Sequence, residues 1–121
     1  MSYGFFRAAC ASPDLIVADC NFNADKIIDS VRVACELNVR LLVFPELCIT
    51  GYTCADLFLQ RRLQFSAIEN LERIAKKTSY FDCIILVGLP IAVENALYNC
   101  AAILYKGKIL ALIPKTFIPN Y

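Results

Sequence analysis

Hydrophobic positions along the chain change their period from segment to segment, and the changes mark its elements. Tyr3 to Ala11 reads as a first strand, closed by Ser12-Pro13. Beyond it, Ala24, Ile27, Ile28, Val31, Ala34 and Cys35 recur at three- and four-residue steps, which is one face of a helix. Asn23 is placed as the N-cap, because its side-chain oxygen can accept from a free first-turn N–H. Phe22 and Ile27 are spaced as a hydrophobic staple around it, and Asn38 suits the C-terminal turn. Leu41 to Phe44 is a continuous apolar run directly after this helix. It predicts a strand buried on both faces, as in α/β proteins, and Pro45 stops it. Glu46 to Ala55, with Thr50-Gly51 in its middle, predicts a loop.

A second helix is predicted over Arg62 to Thr78. Ala67, Ile68, Leu71, Ile74 and Ala75 form its apolar stripe, while Glu69/Arg73 and Glu72/Lys76 are i,i+4 pairs on the wet side. Cys83 to Leu89 predicts another fully apolar strand, ended by Gly88-Leu89-Pro90. Asn99 to Tyr105 and Lys108 to Ile113 flank Lys106-Gly107, the signal of a short hairpin, and Pro114 closes its second arm. The order is β-α-β-α-β followed by a hairpin, an α/β class with a mixed sheet.

Composition sharpens this picture. Of 121 residues, 59% are hydrophobic and only 19% charged, which excludes a disordered tail, a charged coiled coil and a nucleic-acid-binding arm. The net charge of +1 supplies no field to steer the chain to DNA or an anionic membrane. So apolar a chain implies a core shared with a larger sheet, a further segment or a partner subunit. Arg7 interrupts the apolar run at the N-terminus, so that segment does not read as a signal peptide. Cys83 to Val93 is about half the roughly 20 residues of a membrane helix. A soluble, cytoplasmic protein is expected.

The chain contains no histidine, which removes local Ser-His-Asp or Cys-His catalysis and His-ligated metal. Its seven cysteines are scattered and form no C-x-x-C pair. Several lie inside apolar runs, where Cys acts as a small hydrophobe, and no metal site is expected. Acid–base work therefore falls to carboxylates, Lys, Tyr or Cys. Glu46 follows the strand Leu41–Phe44, and Lys115 follows the strand Lys108–Ile113. Both stand at carboxyl ends, where open α/β sheets place their sites. Position alone leaves each as a solvated surface charge or as half of a shared site. Cys48 and Cys54 lie near Glu46, where a nucleophile would stand, but nothing in the sequence lowers their pKa, and they read as buried or spectator thiols. Tyr52 and Tyr121 are pocket walls or ordinary amphipathic packing.

The stretches Leu41-Leu42-Val43-Phe44-Pro45-Glu46-Leu47-Cys48-Ile49-Thr50-Gly51-Tyr52 and Ile113-Pro114-Lys115-Thr116-Phe117-Ile118-Pro119-Asn120-Tyr121 resemble the first two catalytic motifs of the nitrilase, or carbon–nitrogen hydrolase, superfamily. The fuller wording, PELCITGYTCADLF with PKTFIPNY and an opening GFFRAACASP, is similar to the N-terminal glutaminase domain of the glutamine-dependent NAD synthetases. The resemblance runs through the whole chain. It implies an α-β-β-α sandwich of which residues 1–121 are the N-terminal part. It implies a Glu-Lys-Cys triad with Glu46 as general base and Lys115 as the lysine. Tyr52 and Tyr121 match tyrosines of the family's glutamine pocket. The family's cysteine nucleophile and a second glutamate fall beyond Tyr121, so the isolated chain is expected to be inactive. The implied partners are glutamine and, in the parent enzyme, deamido-NAD and ATP with magnesium, bound by a separate synthetase domain. No cofactor is implied for these residues themselves, and a homo-oligomer is expected. Two alternatives stay open: another superfamily amidase acting on a small carboxamide, and a non-catalytic fragment whose role is association.

Overall fold

A computed structural model describes residues 4–115. Five strands form one mixed sheet: β1 (Ala8–Cys10), β2 (Leu41–Val43), β3 (Ile84–Val93), β4 (Ala96–Tyr105) and β5 (Lys108–Pro114). They lie side by side in chain order. The β1–β2 and β2–β3 pairs are parallel, and β3–β4 and β4–β5 are antiparallel. Helices α1 (Cys20–Glu36) and α2 (Arg61–Lys77) make the two crossovers, with a short 3-10 helix, Ala55–Leu59, before α2. The α/β class and the mixed sheet are as expected.

Both helices pack on the same side of the sheet. Ile27 and Val31 of α1 and Leu71 and Ile74 of α2 are fully buried against Leu42, Ile85, Val87, Leu89 and Leu104. Strand side chains alternate faces, so the registers place Leu41, Val43, Ile84, Leu86, Ala101 and Ile103 on the opposite face. These six are only half-buried. Among the described residues, Leu41–Phe44 and Cys83–Leu89 are thus covered by helices on one face only, and their second face is the share of the core that the apolar composition assigns to a larger sheet, a further segment or a partner. Their outer face is as apolar as their inner one, but among the described residues nothing lies across it.

Several boundaries also differ. Helix α1 starts three residues before Asn23. Its N-cap is Asp19, whose carboxylate accepts from Phe22 N at 3.0 Å, so neither the Asn23 cap nor the Phe22/Ile27 staple is realised. Asn23 is instead buried within the helix. Its Oδ1 accepts from Ile16 N at 2.7 Å, and its Nδ2 donates to Ile16 O at 2.8 Å and Ile49 O at 2.9 Å. A polar side chain this deep is tolerated because it satisfies backbone groups of two loops that have no other ladder.

Strand β3 runs through Pro90, where the sequence predicts an end. Gly88 O accepts from Ile49 N and Leu86 O from Phe44 N, on the β2 side. By alternation the Pro90 nitrogen points the same way, past the end of β2, so proline removes no β3–β4 bond. The strand then turns at Glu94-Asn95 into β4, a hairpin with no glycine to announce it. Glu94 itself takes φ +55°. The second hairpin does fall at Lys106-Gly107, with both residues at positive φ.

The two predicted i,i+4 pairs on α2 are absent from the ion pairs of the described residues. Arg73 reaches across to α1 instead, where Nη1 meets Asp25 Oδ1 at 2.6 Å and Nη2 donates to Asn21 O at 2.9 Å. Among the described residues no helix is long and apolar enough to cross a membrane.

Candidate active site

Glu46 owes its position to the turn that follows β2. Phe44 N still donates to Leu86 O at 2.9 Å, so the chain stays with the sheet for one residue past the strand. Pro45 cannot donate, and residues 46–50 coil into a tight turn closed by Gly51 N on Leu47 O at 2.8 Å. Three elements hold that turn. Ile49 N donates to Gly88 O at 3.1 Å on β3, Ala18 N donates to Thr50 O at 2.7 Å, and Asn23 of α1 donates to Ile49 O. Cys48 Sγ accepts from Gly88 N at 3.4 Å, completing the edge of β3.

Gly88 is what lets the turn lie so close. A Cβ there would overlap the backbone nitrogen of Leu47 and crowd the carbonyl carbon of Glu46. Backbone cannot rotate away as a side-chain tip can. Gly88→Ala is expected to destabilise the fold by roughly 1–3 kcal/mol, the range for overpacked sites, and to displace Glu46. Urea unfolding checks the first effect. A variant as stable as the parent would show that the turn can yield.

Lys115 arrives from the other side of the sheet centre. Its N donates to Asn99 O at 2.8 Å, which carries the β4–β5 pairing one residue past Pro114. Its Nζ donates to Glu46 Oε1 at 2.7 Å. Residues 69 positions apart thus meet at one rim, as their two strand-end positions predict. Asn99, in the middle of β4, donates from Nδ2 to the same oxygen at 2.6 Å. These three groups edge an open pocket of about 340 Å³ on the uncovered sheet face, floored by Val43, Leu86, Gly88, Ala101 and Ile113.

The hydrogen bond from Lys115 holds the Glu46 carboxyl below its ordinary range. Desolvation opposes this, while the Asn99 bond and the lysine charge add to it. A lowered folded pKa stabilises the fold above the ordinary glutamate pKa of about 4.3, and that contribution is lost as pH falls through the lowered value. Both side chains are about one-third exposed, so solvent screens the pair and the effect is small. Unfolding midpoints from about pH 5 to about pH 3 should fall more steeply for the parent than for Lys115→Ala. Equal slopes would mean that the pair does not persist in solution.

Tyr52 lies half-exposed in the turn just after residues 46–50 and is not among the described residues that line this pocket. Tyr121 lies outside the described residues. Of the seven thiols, Cys20, Cys48, Cys54, Cys83 and Cys100 are buried, and none is in a disulfide. Burial pushes Cys48 up to about 11 and Cys83 to about 12, so these thiols stay protonated at neutral pH. Cys48 and Cys54 are buried, as their apolar surroundings in the sequence predict. Among the described residues no group of three His, Cys, Asp or Glu is placed to hold a metal ion.

Asn99 and Gly88 are site residues that the sequence pattern does not single out. A polar residue between Tyr98 and Cys100, in an otherwise apolar strand, is the signal for Asn99. By itself that signal marks only a strand boundary.

A mixed sheet covered by helices on one face, with a carboxylate–ammonium pair at its rim, defines the class. The chain belongs to the carbon-nitrogen hydrolase family, whose model matches residues 7–117. Within that family it is similar to glutamine-dependent NAD(+) synthetases. It is 37% identical over 98 residues to that of Saccharomyces cerevisiae, covering 81% of this chain and 14% of the relative. The crystal structure of a glutamine-dependent NAD(+) synthetase from Cytophaga hutchinsonii matches with a TM-score of 0.89 at 34% identity, over 95% of this chain and 20% of that one. An amidase from Nesterenkonia sp. AN1, in complex with butyramide, shares the fold with a TM-score of 0.80 at 23% identity, over 96% of this chain and 45% of that one. The chain therefore spans a fifth or less of the length of the two synthetases.

Proposed function

We propose that these residues belong to a glutamine-hydrolysing domain that supplies ammonia for the ATP-dependent amidation of deamido-NAD. The Glu46–Lys115 contact over an open pocket carries the reading, since it pairs a base with a cation where an amide carbonyl can be presented. In this mechanism the nucleophile is the cysteine that the family resemblance implies. None of the seven thiols here occupies that role.

Glu46 takes the thiol proton, and the sulfur attacks the carboxamide carbon of glutamine. The carbonyl oxygen gains the electron pair, and the Lys115 ammonium, held beside the site, stabilises it. When the carbonyl reforms, the C–N bond breaks, and Glu46 returns its proton to the departing nitrogen as ammonia. Glu46 then takes a proton from water, which attacks the thioester and frees glutamate and the thiol. Lys115 also keeps Glu46 ionised between these transfers. The family resemblance assigns Tyr52 and Tyr121 to the glutamine pocket, Tyr52 from beyond the described residues that line the pocket at Glu46. ATP and magnesium belong to a separate synthetase domain.

The second reading is an amidase for a small carboxamide, favoured only by the fold shared with the Nesterenkonia enzyme. Glutamine labelled with ¹⁵N in its amide separates the two. Fed to the gene product with ATP and deamido-NAD, it should place the label in the carboxamide of NAD. Release of ammonia from short aliphatic amides, with no label in NAD, would overturn the synthetase reading in favour of the amidase.

A further inference from the structure

We propose that Asn99 is a positioning residue of this site: it ties Glu46 and Lys115 together and leaves Oε2 of Glu46 as the oxygen that accepts the proton. The inference rests on the glutaminase reading above and deepens it. Two separate parts of one residue make the connection. The Asn99 backbone oxygen accepts from Lys115 N at 2.8 Å, and its side-chain Nδ2 donates to Glu46 Oε1 at 2.6 Å. Lys115 Nζ donates to that same Oε1 at 2.7 Å. Both hydrogen bonds end on one oxygen, and Oε2 receives neither. An ionised carboxylate only accepts, so the amide must turn its NH₂ toward Glu46, which settles its orientation on chemical grounds.

The surroundings single out this position. Asn is disfavoured in strand interiors, yet Asn99 stands between Tyr98 and Cys100 and opposite Pro90. On the same face of β4, Leu97, Ala101 and Ile103 are apolar. A polar side chain in that row is explained by the carboxylate it reaches. The two donors have different duties. Lys115 brings charge and must be able to swing toward an oxyanion. Asn99 is neutral and short, and it sits on a strand paired on both sides. It can therefore keep the carboxylate in place while the lysine moves, and small errors in that placement are costly to rate.

The test compares the gene product with its Asn99→Leu and Asn99→Asp variants in glutamine hydrolysis across pH. Asn99→Leu removes the donor. Asn99→Asp keeps the shape and sets a second carboxylate beside Glu46, and it serves if the leucine variant does not fold. Among the described residues Lys115 is the charged group paired with Glu46, and Asn99→Asp adds a second charge there. We expect kcat to fall at least about tenfold with KM for glutamine within about twofold, the pattern of an interaction used in the transition state. The acid limb of kcat/KM should move to higher pH, further for Asp than for Leu, because each change makes the ionised base harder to keep. A folded variant with unchanged kcat and an unmoved acid limb would overturn the role of Asn99. A parent protein that hydrolyses no glutamine would instead overturn the glutaminase reading, and the proposal with it.

Discussion

In the gene product that carries these residues, Glu46→Gln is expected to lower glutamine-dependent NAD formation by about three orders of magnitude, within the range for a lost general base. The substitution is nearly isosteric. A glutamine oxygen can still accept from Lys115 Nζ and Asn99 Nδ2, which now share Oε1. The turn pinned to Gly88 and Asn23 should therefore stay in place, and what disappears is the ability to take a proton. Formation from free ammonia should remain within about twofold, because in the proposed function that step bypasses the amide and belongs to a separate domain. Lys115→Ala should show the same selectivity. Two assays on each variant, one with glutamine and one with an ammonium salt, decide the matter. Equal loss in both assays would place Glu46 outside glutamine hydrolysis.

Residues 1–121 expressed alone are expected to associate at micromolar concentration through the uncovered sheet face. Leu41, Val43, Ile84, Leu86, Ala101 and Ile103 make a continuous apolar surface there, and Ile113 on the outer strand is half-exposed. Soluble monomers seldom leave such a patch open. Covering even about 500 Å² of it contributes roughly 12 kcal/mol gross, against an association cost of about 4–15 kcal/mol. Strand β5 adds an edge with Ile109, Leu110 and Leu112 exposed, a template for a further strand. Sedimentation should report dimers or larger species, and a lysine at Ile84 should shift them toward monomer. A single monomeric species that binds no hydrophobic dye would show that this face is not adhesive.

Periodicity made the helices legible, because only a helix turns residues at three- and four-residue steps onto one buried stripe. The apolar rows of α1 and α2 are where the pattern places them. Termini were less legible, since several side chains could cap the same turn. Asp19 and Asn23 are both good caps, and the choice depended on loops that only tertiary packing brings near. Asn23 was claimed by Ile16 and Ile49, 7 residues before it and 26 after it. Likewise an apolar strand reports that its faces avoid water, not what covers them. The run at Leu41–Phe44 reads the same whether its second face meets a helix, another sheet or nothing among the described residues.

The site divides along the same line. Glu46 and Lys115 could be chosen from the chain alone, because each follows an apolar strand at a proline and each falls in a motif of the carbon–nitrogen hydrolases. Their convergence needed only a sheet in which both strand ends reach one rim. Asn99 and Gly88 could not be chosen that way. Their importance lies in partners 53 and 40 residues distant. It depends on the register that sets Asn99 beside the carboxylate and on a separation too small for a Cβ. Local sequence determined which residues carry charge and which segments form elements, because those are properties of a residue and its near neighbours. Only the tertiary structure decided which oxygen of Glu46 is held by Asn99 and Lys115, because that depends on groups delivered by three strands at once.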